Sequence, residues 1–321
     1  MKNNLPVKFA DKFFSDIAER EAALANVPGA VCPGPGSPVR FEIIREKLKR
    51  GDDTKTLRMI PVLMKMMLGV NRSIRSIKEN PAQPKTQIDE SLLREFEEYV
   101  ISLGACSIGY TRLPEQWVFQ NKAALYPNVI VLTMKMDRER INQAPHIEAE
   151  YTVMATYRDL GIIANRAVDF LRKNRFSAQA GHPLNGQTLY PPLAQLAGLG
   201  QLAHSGLIIT PEFGPCVRIA ALYTSIENLP FNEGNQHSWI DAFCASCQLC
   251  VKKCPAGAIY AEPVRHESGQ ITFVDNDKCF PYFHYNHGCS VCIKVCPFNH
   301  VPYEKLKAGI QLAGPEIAEL P

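Results

Sequence analysis

The sequence predicts an α/β chain with a helical N-terminal extension and a separate, cysteine-dense C-terminal module. Three observations carry this. Amphipathic helical spacing alternates with short β-branched runs between about residues 88 and 235. Helix-like spacing alone fills the stretch before it, broken by Pro- and Gly-rich segments. Eight of the eleven cysteines lie beyond residue 243. The expected divisions are therefore 1–87, 88–235 and 236–321, which is ample length for proper cores in a chain of 321 residues.

In the first division, Phe9 to Leu24 carries apolar residues at helical intervals, and Phe41 to Lys49 is a second candidate helix, its Arg45, Lys47, Lys49 and Arg50 reading as a solvated face. Val27 to Gly36 between them reads as a loop, and Asn80-Pro81-Ala82-Gln83-Pro84 as a linker. The most apolar run, Leu57 to Val70, contains Arg58 and Lys65 and is too short to span a bilayer, so a packed helix is expected. In the second division, Glu90 to Leu103 is helical, with Leu92, Leu93, Phe96, Tyr99 and Val100 on one stripe. Strands are expected at Cys106–Tyr110, at Asn128–Met134, and at Leu207–Thr210 and Val217–Tyr223, the last two flanking the turn Pro211-Glu212-Phe213-Gly214-Pro215. Glu148 to Lys173 is a long amphipathic helix. A tail after Pro297 is mostly helical.

The cysteines of the third division follow two runs, Cys244-x2-Cys247-x2-Cys250-x3-Cys254-Pro255 and Cys279-x9-Cys289-x2-Cys292-x3-Cys296-Pro297. Three thiolates at such spacing wrap one face of an iron–sulfur cubane, and the cysteine before proline points toward the other cluster. One 4Fe–4S cluster thus takes Cys244, Cys247, Cys250 and Cys296. The other takes Cys254, Cys289, Cys292 and, in place of a third closely spaced cysteine, Cys279. Zinc would be satisfied by isolated Cys-x2-Cys pairs with no need of the crossed cysteines. Disulfides require an oxidising compartment, and the start of the chain shows neither a signal peptide nor a twin arginine, so a cytoplasmic protein is expected. A formal net charge of +3 is too small to argue for a nucleic-acid or anionic-membrane partner, and neither is expected. Cys32, Cys106 and Cys216 remain as buried thiols, with Cys216 the one that would face a cofactor. His146, His182, His237, His266, His284, His287 and His300 show no metal-ligand spacing, and of these only His182 lies in the Gly- and Pro-rich stretch from Gly181 to Pro215.

Ala197-Gly198-Leu199-Gly200, the stretch from Gly206 through Thr210-Pro211-Glu212-Phe213-Gly214-Pro215 to Arg218, and Gly288-Cys289-Ser290-Val291-Cys292-Ile293-Lys294-Val295-Cys296-Pro297-Phe298 together resemble the corrinoid-dependent iron–sulfur reductases. That family contains the reductive dehalogenases and epoxyqueuosine reductase. The resemblance spans about residues 90 to 300, with weaker support from Met134-Lys135-Met136-Asp137 and the helix around Tyr151. It implies a nitroreductase-like core holding a corrinoid (cobalamin) in its base-off form, fed by a ferredoxin-like domain with two [4Fe–4S] clusters. No Asp-x-His-x-x-Gly motif occurs, so histidine-on binding is not signalled. Gly198, Gly200, Gly206, Thr210, Pro211, Phe213 and Gly214 are the implied cofactor-binding residues. Without a lower ligand, cobalt reaches Co(I) more easily, and the clusters would supply the electrons from a low-potential donor such as ferredoxin or flavodoxin.

The implied reaction is reductive cleavage of a carbon–heteroatom bond, carbon–halogen included, in a small organic substrate. It needs a proton, implied to come from a tyrosine polarised by a cation. Tyr151 is the first candidate and Tyr157 and Tyr190 its rivals; a core tyrosine with a satisfied hydroxyl is the plain alternative for each. His204 stands where these families carry Arg or Lys, so it is the candidate cation, or itself the acid, with a surface-loop histidine as the plain alternative. Cys216 and Thr224 to Phe231 also depart from the family pattern. Two other functions compete. An epoxyqueuosine reductase would want an aspartate upstream of Ala197, and none follows Asp169. A non-catalytic electron-transfer or corrinoid-reactivating protein is favoured by the missing cation. Gly198-x-Gly200-x-x-Ala203 satisfies a loose dinucleotide pattern but follows a helical segment, Pro191 to Leu196, where a strand is required.

Overall fold

In a computed structural model of the chain, which describes residues 5–31, 58–267 and 270–312, two compact units are present. The first comprises Met1–Met134, Met154–Tyr190 and Ile219–Phe231, the second Lys135–Val153, Pro191–Arg218 and Asn232–Pro321. The expected helix at Phe41–Lys49, the loop beyond Val31 and Cys32 lie outside the described residues.

The first unit is built on a four-stranded sheet in the spatial order Ser107–Arg112, Asn128–Lys135, Val217–Thr224, Ala178–Gly181. The outer pairs are antiparallel, with Gly109 opposite Val131 and Ala180 opposite Leu222. The two inner strands are buried almost end to end, as strands covered on both faces must be. Their β-branched residues make them legible in sequence. Ala178-Gln179-Ala180-Gly181 carries no such signal and pairs only because the sheet offers it an edge.

The helix Glu90–Ser102 packs Phe96 and Val100 onto this sheet, together with Leu160, Ile163, Val168 and Leu171 of the long helix Ile147–Lys173. The apolar run near residue 60 is the helix Met59–Arg75. Met59, Val62, Met66, Val70 and Ile74 form its buried face, while Ile60, Met64 and Leu68 are exposed. Phe13 and Ile17 of the helix Leu5–Leu24 pack on Val70 and Ile74. That helix is also tied down by polar contacts: Glu21 is buried against the Lys122 ammonium, and Asn185 bonds both side chains.

His182, next after the last edge-strand residue, is also buried in this unit. Its Nδ1 accepts from the Leu184 backbone N–H at 3.2 Å, and its Nε2 is wedged between the two long helices. A Cβ on Gly161 would sit 2.0 Å from that Nε2, and one on Gly69 would sit 2.9 Å away. Two glycines therefore make room for one imidazole. Burial holds the ring neutral, its pKa pushed down to about 3.

The second unit has its own core, in which Ala203, Ile209, Ile240, Cys244, Phe298 and Tyr303 are buried against Trp239 and Phe243. Trp239 stands edge-on to Tyr303 at 5.1 Å, and Phe243 edge-on to Phe298 at 5.0 Å. A hairpin of Ile259–Arg265 and Ile271–Val274 follows the first cysteine run. Pro263 and its flanking charges hide it from a pattern search. The expected strand Leu207–Thr210 shrinks to Ile208–Ile209, paired with Gln201–Leu202.

Candidate metal centre

The two cysteine runs fold as copies of one another. In each, the residue after the first cysteine of a Cys-x2-Cys pair is left-handed, Gln248 at φ 49° and Ser290 at φ 62°. One helical turn follows in each, Leu249–Lys252 and Val291–Lys294. The αL residue reverses the chain so that both thiols of a pair turn to one side, and Pro255 and Pro297 stop the turn from continuing.

Sulfur positions follow the crossed pattern. Cys244, Cys247, Cys250, Cys292 and Cys296 line one small cavity of about 20 Å³, with Ala203, Ser205, Phe243 and Phe298 among its walls. Cys296 has Cys244, Cys250 and Cys247 as its charge neighbours, although some fifty residues separate it from them. Cys279 has Cys254 and Cys289, and Cys292 has Cys289, Cys279, Cys250 and Cys254. The structure thus brings Cys279 to Cys254, Cys289 and Cys292, which spacing alone left as an inference.

The donors suit clusters. Burial pushes the thiol pKa of Cys244 and Cys292 up to about 12 and that of Cys279 up to about 11. Sulfurs so placed are anionic only with cations among them. Backbone N–H groups already aim at several: His204 at Cys244, Val251 at Cys250, Val291 at Cys289, Phe298 at Cys296, and Ala258 at Cys254 with N···S 3.4 Å. Such bonds stabilise cluster sulfur and tune its potential.

The segment from Ala197 to Cys216 lies in the same unit and packs on the cysteine region. Thr210 and Gly214 close a tight loop, exchanging backbone bonds of 3.0 and 2.9 Å, and the Thr210 hydroxyl donates to the Gly214 carbonyl while accepting from the Phe213 N–H. A Cβ on Gly214 would stand 2.3 Å from the Phe298 carbonyl oxygen, one on Gly200 2.0 Å from that of Ile209, and one on Gly198 2.5 Å from Asn232 Oδ1. These glycines and Thr210 brace the loop internally. Gly206, Pro211 and Phe213 are half-exposed on it. A cofactor held by shape and backbone needs such a pre-stiffened loop, and Gly206, Pro211 and Phe213 are the predicted residues it leaves open to one. Cys216 is buried, its Sγ 3.8 Å from the Met136 carbonyl, and burial raises its pKa to about 11.

His204 is buried, and the surface-loop reading falls. Its backbone N–H points to Cys244, and its ring lies 6.5 Å from that of Phe273. Burial lowers its pKa, with Asp241 opposing. The cation at Tyr151 comes from elsewhere. Tyr151 sits in the first turn of the helix Ile147–Lys173, and the Arg140 guanidinium lies over its ring, 5.5 Å from the centroid. Arg140 is held by Asp137 at 3.4 Å, and the Asp137 backbone N–H donates to Thr152 Oγ1 at 3.4 Å. Glu150 meets His287 of the cysteine region at 3.0 Å. Tyr190 is buried, with its hydroxyl donating to the His182 carbonyl at 3.4 Å and its pKa driven far up by burial. It is a core tyrosine. Sequence reasoning missed Arg140, which only the turn after Asp137 brings over the ring.

Comparison with known proteins agrees with this geometry. Residues 243–300 match the 4Fe-4S dicluster domain. A tetrachloroethene reductive dehalogenase of Desulfitobacterium hafniense is 32% identical over 208 residues, covering 60% of this chain and 36% of that protein. An epoxyqueuosine reductase of Listeria monocytogenes is 30% identical over 139 residues, 40% of this chain and 35% of that protein. The chain spans little more than a third of these curated relatives. Among solved structures, a reductive dehalogenase described for B12-dependent dehalogenation superposes with a TM-score of 0.66 at 18% identity, over 88% of this chain and 43% of that one. Among the described residues no helix is long and apolar enough to cross a membrane. Over the matched stretches this chain is similar in sequence to reductive dehalogenases and epoxyqueuosine reductases, it shares the fold of a solved reductive dehalogenase, and residues 243–300 form a 4Fe-4S dicluster domain.

Proposed function

We propose that the protein is a corrinoid-dependent reductase that cleaves a carbon–heteroatom bond, carbon–halogen among them, in a small organic substrate. The observation that carries the reading is the pair of crossed thiol groups built against the braced loop of residues 197–216. Cys244, Cys247, Cys250 and Cys296 would hold one cluster, and Cys254, Cys279, Cys289 and Cys292 the other. Gly206, Pro211 and Phe213 would hold the corrinoid, and Gly198, Gly200, Thr210 and Gly214 keep their loop rigid. The corrinoid, when bound, supplies a strongly reducing cobalt centre. Replacing the heteroatom by hydrogen consumes two electrons and one proton, with the heteroatom leaving as its anion. The clusters, when bound, would supply those electrons one at a time. Tyr151 supplies the proton from its hydroxyl, and Arg140 over the ring stabilises the phenolate left behind. Arg140 thereby takes the place expected of His204.

Anaerobic reconstitution with iron, sulfide and cobalamin tests this. One corrinoid per chain with a base-off visible spectrum is expected. In the loaded protein, Tyr151→Phe is expected to cut turnover by about 100-fold or more, the usual worth of general acid catalysis. Arg140→Gln, which removes the cation over the ring, should give a smaller loss of turnover. A protein that takes up iron and ignores cobalamin is an electron carrier, and the proposal then fails.

A further inference from the structure

Electrons reach the clusters from outside, and the two thiol groups differ in how open they are. The first is walled by Phe243, Phe298, Ala203 and Ser205. The second includes Cys279, on the helix Asn276–Tyr285, and none of that helix's residues is buried. Its sequence Phe280-Pro281-Tyr282-Phe283-His284-Tyr285 is nonetheless almost wholly aromatic, with Phe280 stacked on Phe283 and His284 at 6.2 and 5.9 Å. An aromatic helix left half-covered beside a redox centre has the composition of an interface centre.

Charge says what covers it. Lys252 and Lys253 are exposed immediately before Cys254, and Lys278 is exposed immediately before Cys279. Cys254 and Cys279 are charge neighbours, so two separate elements deliver lysines to the same thiol group. Asp275 and Asp277 share the start of the helix. Asp275 accepts the backbone N–H groups of Asp277 and Lys278 as its cap, and it meets the Lys278 ammonium at 3.4 Å. Such exposed pairs hold little net energy and leave the lysine available to a partner.

We propose that this face, the helix Asn276–Tyr285 with Lys252, Lys253 and Lys278 at its rim, is the docking site of an acidic, low-potential electron-carrier protein, and that electrons enter at the Cys254–Cys279–Cys289–Cys292 group. It rests on the reading of those cysteines as cluster ligands. In the transfer, a reduced flavin or cluster of the carrier loses one electron and the acceptor cluster gains it.

The test is anaerobic stopped-flow reduction of the cluster-loaded protein by reduced flavodoxin, an acidic carrier, over a range of salt concentrations. The wild-type rate should fall as salt rises. At low salt, Lys253→Glu with Lys278→Glu should slow it by about 10-fold or more and flatten the salt dependence, since steering is worth roughly 10 to 1,000-fold. Arg94→Glu, an exposed change in the other unit, should leave it untouched. Dithionite reduction, iron content and the EPR signal should match wild type in all variants. Should the glutamate pair lose iron, Lys253→Gln with Lys278→Gln serves, with a smaller slowing expected. Flavodoxin reducing the double variant at the wild-type rate, or a wild-type rate that climbs with salt, overturns the proposal. A wild-type protein that takes up no iron instead fails the cluster reading, and iron analysis shows that before any mixing.

Discussion

Gly214→Ala probes the join between the braced loop and the cysteine region, and the structure supplies its own control. Gly214 and Gly257 have nearly the same left-handed backbone, φ 56° and 57°. A Cβ at Gly257 meets nothing within 4 Å, whereas at Gly214 it would stand 2.3 Å from the Phe298 carbonyl oxygen and 2.8 Å from its carbon. Both alanines bear the left-handed cost, about 1–2 kcal/mol. Gly214→Ala adds a clash with backbone, which cannot swing aside as a side-chain tip would, for a further ~1–3 kcal/mol. The expected difference between the variants is therefore about 1–3 kcal/mol, roughly a 5- to 150-fold difference in the unfolded-to-folded ratio. Because Phe298 follows Cys296 and Pro297, the strain falls beside a proposed cluster ligand. Anaerobic urea unfolding, followed by far-UV circular dichroism and by the visible absorbance of the clusters, measures both. Equal stability of the two variants within about 0.5 kcal/mol, with equal cluster loss, would refute the reasoning.

Two further outcomes follow from the same packing. Cys279→Ser should halve the iron taken up on reconstitution and leave the EPR signal of one cluster, while Cys106→Ser, outside both thiol groups, should change neither. Full iron loading of Cys279→Ser would remove Cys279 from the ligand set. His182 has a folded pKa of about 3, below its ordinary 6.5. The unfolded chain therefore takes up a proton below pH 6.5 that the native one refuses, and stability drains away as pH falls from 6.5 toward 3, by up to about 1.4 kcal/mol per unit. His182→Asn should lower stability at pH 7 yet lose about 1.6 kcal/mol less than wild type between pH 6.5 and 5. Parallel losses in the two proteins, measured by urea unfolding at each pH, would contradict a neutral buried ring.

What could be read from residues alone was whatever a local rule writes down. Ligand spacing is such a rule, because a cubane dictates how far apart its thiolates lie, and the inferred Cys279 does lie beside Cys254, Cys289 and Cys292. The inner strands were legible from their β-branched runs, the long helix from its stripe. Ala178–Gly181 had nothing to announce it, since its pairing is a property of the neighbouring strand. Gly198, Gly200 and Gly214 were located as a cluster, but a glycine does not say whether its missing Cβ makes way for a cofactor or for the chain itself; here Asn232, Ile209 and Phe298 fill those places. The cation was sought where a family pattern puts it, at position 204, and that residue is instead buried against a thiol of the first group. Arg140 reaches Tyr151 only because Asp137 caps and turns the intervening chain. A cation over a ring constrains two side chains and no spacing, so the same chemistry can move to a new residue without leaving a motif behind. That freedom explains how the expected position can hold a histidine while a positive charge still faces the tyrosine.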